Sequence, residues 1–196
     1  MQVGLAVALL FTATIFGWGP PVGESLQSTT ASAASASQDP APAKSVAAAK
    51  PMSPLTWLVG GVWTADASRM GPGMLRVETR YQWADNNAFI RFNTHFVSDK
   101  GADHTYDGQC FWDPARQSLY MWYMDSKNSI VEGSVAVQGD VTTFTFRAPD
   151  FDGKMADLRA LVTRKNNDDY NWTLQEMQGT SWKDLASLEY LRVAGS

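Results

Sequence analysis

The chain has 196 residues, 44% of them hydrophobic and 18% charged, with 16 Lys and Arg against 20 Asp and Glu for a net charge of −4. That is too apolar for a disordered chain and too short for two ordinary domains. Without a Lys/Arg cluster it lacks the electrostatic footprint that a phosphate backbone demands, which excludes nucleic acid as a partner.

Leu5 to Trp18 form an apolar run of 14 residues, shorter than the roughly 20 of a membrane-spanning helix but suited to a signal-peptide core. Residues 1–33 read as an export signal, with small-residue cleavage patterns at Ala31-Ser32-Ala33 and Ala34-Ser35-Ala36. Met1-Gln2-Val3-Gly4 departs from the usual pattern, having no Lys or Arg. The expectation is a bacterial protein exported to the periplasm or medium, with no stable membrane insertion after cleavage. Residues 34–52 continue as an Ala/Ser/Pro linker that cannot bury enough surface to offset the entropy of ordering it. Lys44 and Lys50 offset Glu24 and Asp39, so the net charge resides in residues 53–196 together with seven of the eight tryptophans.

From residue 53 the sequence breaks into short aromatic and β-branched runs separated by polar turns, the pattern of an antiparallel sandwich or barrel. The spacing predicts strands over Val62–Asp66, Met74–Trp83, Ala88–Val97, His104–Trp112, Ser118–Met124, Ser129–Val137, Val141–Ala148, Lys154–Arg164, Tyr170–Met177 and Leu185–Val193. Asp85-Asn86-Asn87, Asp99-Lys100-Gly101, Ser126-Lys127-Asn128 and Gln138-Gly139-Asp140 supply turn residues between them. Short connections make consecutive strands antiparallel neighbours, and a sheet of ten such strands is expected to close on itself. The fold class is therefore all-β: a single closed up-and-down barrel of about ten strands, preceded by a short helical turn and wide enough to hold a small ligand. The strand at Leu119–Met124 is apolar on both faces. Its outer side is expected to be covered by a loop, the N-terminal segment or a second copy in a homodimer.

At Leu55-Thr56-Trp57-Leu58-Val59-Gly60-Gly61-Val62-Trp63, a short apolar turn is followed by Gly-x-Trp opening the first strand. This resembles the calycin superfamily of lipocalins, fatty-acid-binding proteins and nitrobindin-like barrels, in which that Trp plugs one end of the barrel. The segment Tyr106–Asp113 is similar to one in exported bacterial lipocalin-like proteins. The resemblance, which covers about Leu55 to Val193, assigns barrel closure to Gly61, Trp63 and a basic residue on the last strand, here Arg192. It implies non-covalent binding of a small hydrophobic or amphipathic molecule inside the barrel. Nitrobindin-like members hold haem through a His near the C-terminal strands, and this chain has none after His104; no cofactor is expected.

Catalytic signatures are absent: there is no Gly-x-Ser-x-Gly, His-Glu-x-x-His, phosphate-binding Gly loop or Cys-x-x-Cys. The polar contacts expected for a ligand are Arg91, His95, Glu132 and Arg147, charged or ionisable residues set within strands rather than in turns. Glu132 stands out because Ile130, Val131 and Gly133 flank it, and a buried carboxylate there would need an arginine partner or a raised pKa. Two other function classes use the same residues differently. One is a hydrolase or isomerase with His95 or Glu132 as base in the cavity; the other is an envelope interaction module acting through Tyr120 and Trp122. His104 reads as a turn residue at a strand start. Cys110, the lone cysteine, reads as a buried inert thiol, and the further tryptophans read as core. With two histidines in the chain, and with Asp150-Phe151-Asp152-Gly153 lacking the remaining ligands of a calcium loop, no metal site is expected.

Overall fold

The computed structural model describes residues 50–84, 86–149 and 154–193. The signal and most of the linker segment lie outside the described residues, as does Asp150-Phe151-Asp152-Gly153. A 3₁₀ helix over Lys50–Leu58 is followed by β1 (Val62–Asp66), β2 (Met74–Trp83), β3 (Phe89–Ser98), β4 (Gly101–Asp113) and β5 (Ser118–Asp125). Then come β6 (Ile130–Gln138), β7 (Val141–Pro149), β8 (Met155–Arg164), β9 (Asp169–Gln178) and β10 (Ser181–Val193). Each strand pairs antiparallel with the next, and β1 pairs with β10, so the sheet is a closed barrel of ten strands. Closure leaves no strand edge to manage.

The turns work through residues that accept a positive φ: Asn87 at 53°, Asn128 at 63° and Gly139 at 59°. Two strands begin earlier than the sequence pattern indicates. β4 starts at Gly101 rather than His104, and β10 at Ser181 rather than Leu185. Both extensions lie beyond irregularities in pairing, between Phe96 and Val97 on β3 and between Asp184 and Ala186 on β10. A bulge shifts the inside–outside alternation by one residue, so period-2 reading stops there although the strand continues.

Alternation fixes the two faces. Val77 and Thr79 on β2, Ile90 and Thr94 on β3, Leu119 and Met121 on β5, Val131 and Val135 on β6, and Leu158, Ala160 and Val162 on β8 are buried and face inward. On β4 the inward set includes Gly108, where a Cβ would come within 2.6 Å of the Phe92 ring. Glycine here lets that ring lie across the strand.

One end of the barrel is sealed. Met52, Leu55 and Leu58 of the 3₁₀ helix are at most 1% exposed, and Trp63 on β1 is fully buried beneath them. The Trp63 indole N–H donates to the Leu58 carbonyl at 2.8 Å, and its ring packs against Trp57 and Tyr170. Arg192 of β10 lies over the Trp63 face at 4.3 Å and donates to the carbonyls of Trp57, Val59, Gly60 and Asn167. A cation on an indole face contributes about 0.5–2 kcal/mol. Its hydrogen bonds also satisfy carbonyls left open where the helix ends. Gly61 has φ 68°, and a Cβ there would sit 2.9 Å from both the Arg192 Cγ and the Val193 carbonyl. Glycine is thus required twice at this position, for its backbone and for the arginine to close over it.

Candidate functional site

The interior is different at the opposite end. Phe96 at the end of β3, His104 and Tyr106 at the start of β4, Tyr123 at the end of β5 and Phe146 on β7 face inward, yet each stays only half-buried. Register puts Phe96 opposite His104 and Thr94 opposite Tyr106. Ring contacts run from Phe96 to Tyr106 at 5.3 Å, from His104 to Tyr106 at 4.7 Å, from Tyr106 to Tyr123 at 4.9 Å and from Tyr123 to Phe146 at 6.3 Å. The result is a continuous aromatic wall around part of the mouth.

Polar groups are set into this wall. His104 Nδ1 lies 2.8 Å from the Ser126 hydroxyl in the β5–β6 turn. Burial holds the imidazole below its ordinary pKa; Asp125 opposes that shift and Lys127 adds to it. Burial, and secondarily Asp125, push the Tyr106 phenol up to about 12, and Tyr123 is raised further by burial, Tyr106 and Asp125. Both phenols therefore stay protonated near neutral pH and offer hydrogen-bond donors to the interior. Deeper along the axis, the Thr79 and Thr94 hydroxyls meet at 2.9 Å. Asp125 itself is occupied by its turn, where one carboxylate oxygen accepts from the amides of Lys127 and Ser129.

His104 is thus a strand residue pointing into the barrel, not a turn residue. Continuing the alternation of Trp112, Cys110 and Gly108 back through Tyr106 reaches His104 on the same inward face, a signal present in the sequence. Cys110 is buried, and burial pushes its thiol up to about 12, which makes it inert at neutral pH.

The four residues expected to contact a ligand inside the barrel all project from its outer surface. Arg91 and His95 alternate with inward Ile90, Phe92, Thr94 and Phe96, and Glu132 is an exposed residue between buried Val131 and Gly133. Arg147 lies between Phe146 and Ala148 and forms an exposed ion pair with Asp157 at 3.0 Å. Neither His95 nor Glu132 is therefore placed to act as a base in the interior. The structure does bring three of the four to one outer face. Register aligns Gln82, Arg91, Gln109, Trp122 and Glu132 across β2 to β6, with His95 between Glu78 and Thr105 two rows away, beyond the row of Arg80, Asn93 and Asp107. A groove of about 490 Å³ runs along this face between β2 and β5, lined in part by Arg80, Arg91 and Trp122. The outer side of β5 is partly covered by its own chain, with the Arg116 guanidinium 4.6 Å above the Tyr120 ring and Phe111 against its edge. Among the described residues no group of three or more His, Cys, Asp or Glu is placed to hold a metal ion.

No family profile and no curated protein matches the chain. Among solved structures the fold is similar to that of Rv2717c from M. tuberculosis, with a TM-score of 0.48 and 16% identity, over 74% of this chain and 98% of that one.

Proposed function

We propose that this protein is an exported, calycin-like barrel that binds a small amphipathic molecule through its open end. The carrying observation is the asymmetry of the interior. One end is filled by the 3₁₀ helix, Trp63 and Arg192, while at the other inward Phe96, His104, Tyr106, Tyr123 and Phe146 are only partly buried. Interior rings left open to water represent apolar area still available for burial, at about 25 cal/mol per Å². Two protonated phenols and an imidazole give the same space oriented polar groups, as ligand pockets require. They favour a ligand with an apolar body and an oxygen acceptor, such as a fatty or aromatic acid or a ketone. The Gly61–Trp63–Arg192 closure supports the calycin-like reading, and the apolar run at Leu5–Trp18 supports export.

The test is displacement of an anilinonaphthalene probe from the purified chain by a panel of fatty acids, aromatic acids and ketones. Binding at one site per chain is expected. Tyr106→Phe and Tyr123→Phe should each weaken the best ligand by about 2- to 13-fold, the effect of removing one neutral hydrogen bond of about 0.5–1.5 kcal/mol. Arg147→Met should leave affinity unchanged, because Arg147 lies outside the barrel. Failure of every ligand to bind, or tyrosine variants indistinguishable from the parent, would overturn the reading.

A further inference from the structure

The groove on the outer face has a donor inventory that the barrel does not use. Among the described residues, Arg76, Arg116, Arg147 and Arg192 each pair with a carboxylate and Arg159 and Arg164 bond amide oxygens, whereas Arg80 and Arg91 in the groove, like Arg69 elsewhere, have no ion-pair partner. Arg91 stacks only on Phe89, 5.5 Å from the ring centre. Gln82 and Gln109 add two primary amides on the same wall. The single carboxylate there, Asp107, accepts a hydrogen bond from the Asn93 amide. The lining thus holds two arginines against one carboxylate on a chain whose net charge is −4, with Glu132 beyond Trp122 at the β6 side.

Trp122 supplies the second element. Trp57, Trp63, Trp83, Trp112 and Trp172 belong to the core or pack against it, and Trp182 is covered by the Arg159 guanidinium at 4.4 Å. Trp122 lies outside the core, half-buried on the outer surface, and among the described residues neither a ring nor a cation covers it. It sits two strands from Arg91 in the same register row, with Gln109 between them. That separates the guanidinium and the indole by about 10 Å at the backbone. Beyond Arg91 the groove continues into a smaller depression of about 250 Å³ beside Asn86 and Phe89.

We infer that this outer groove is a second binding site, distinct from the barrel interior, for an acidic oligosaccharide. An aromatic platform takes the apolar face of a pyranose ring. Guanidinium groups take its carboxylate in fork geometry, while amides and Asp107 exchange hydrogen bonds with its hydroxyls. A shallow, open, polar groove suits a hydrophilic extended ligand and offers little to an apolar one, which separates this site from the mouth.

The experiment is calorimetric titration of the full chain with trigalacturonate, maltotriose and triglutamate at physiological salt. Trigalacturonate should bind, with both controls weaker by about tenfold or more. Trp122→Ala and Arg91→Met should each weaken trigalacturonate by about tenfold or more, whereas Trp122→Phe, which keeps a platform, should retain most of the affinity. Equal binding of triglutamate would show charge alone and overturn the inference; so would undiminished binding by the Trp122→Ala or Arg91→Met variants, or no binding of trigalacturonate. Thermal melts within a few degrees of the parent would confirm that the variants fold, as expected for side chains outside the core.

Discussion

The two ends of this barrel place the same residue types under opposite constraints. At the sealed end Trp63 is fully buried, its N–H is bonded to Leu58, and Arg192 covers its face while bonding four carbonyls. At the open end Tyr106 and Tyr123 are also aromatic groups with polar tips, yet they stay only partly buried on the inward face. A closed network of this kind adds stability but leaves nothing for a ligand to satisfy. The mouth sacrifices some of that stability and keeps donors available. Under the proposed function, folding energy resides chiefly at one end and recognition at the other.

Emptying the sealed end is the largest way to break the contrast. Trp63→Ala removes a fully buried ring and the face on which the Arg192 guanidinium lies, with an expected loss of about 3–5 kcal/mol in urea unfolding at an unchanged m-value. A loss below about 1 kcal/mol would show that the cap is dispensable. Next is Gly61→Ala, expected to cost about 1–3 kcal/mol because the new Cβ meets Arg192 and Val193 in a left-handed backbone. Phe96→Ala at the mouth should cost only about 1–2 kcal/mol, since a half-buried ring forfeits only part of its transfer energy. A loss equal to that of Trp63→Ala would erase the distinction between the ends.

Much of the barrel was legible in the residues. Ten runs of alternating or continuous apolar residues, with Asn and Gly at the turns, map onto the ten observed strands, because closure depends on period-2 patterning and short connections, both local properties. Gly61, Trp63 and Arg192 stand out only through the family resemblance, since strand patterning relates no residues so far apart in the chain. The site was not legible. Alternation shows that Arg91 and Ile90 face opposite ways, but a strand mixing Phe89, Arg91 and His95 on one face with Phe92, Thr94 and Phe96 on the other does not declare which face is inside. The strand pairing decides it, by stacking Ile90 beside Cys110 and Cys110 beside Met121, all buried. Glu132 is anomalous among its apolar neighbours only at an inward-facing position. Its exposed place opposite Trp122 removes the anomaly. His104 ends an unbroken alternation from Trp112 through Cys110, Gly108 and Tyr106, but as the first residue of that run, next to Asp103, it reads equally as a turn residue.

The smallest expected effect concerns pH at the mouth. Burial makes folded His104 harder to protonate than the unfolded side chain, whose ordinary value is 6.5, with Asp125 partly offsetting this and Lys127 reinforcing it. A group whose pKa is lowered by folding contributes stability that is complete above its unfolded value and is lost as pH falls through its folded one. Stability should therefore decline modestly as pH drops below 6.5, and His104→Gln should remove that part of the decline. The more direct measurement is the imidazole carbon shift of His104 by NMR: a midpoint below 6.5 is expected, moving upward in Phe96→Ala as water gains access to the ring. A midpoint at or above 6.5 in the parent would mean that Asp125 outweighs burial. The mouth would then present a cation to its ligand, and neutral acceptors such as ketones should lose ground to carboxylates in the displacement panel.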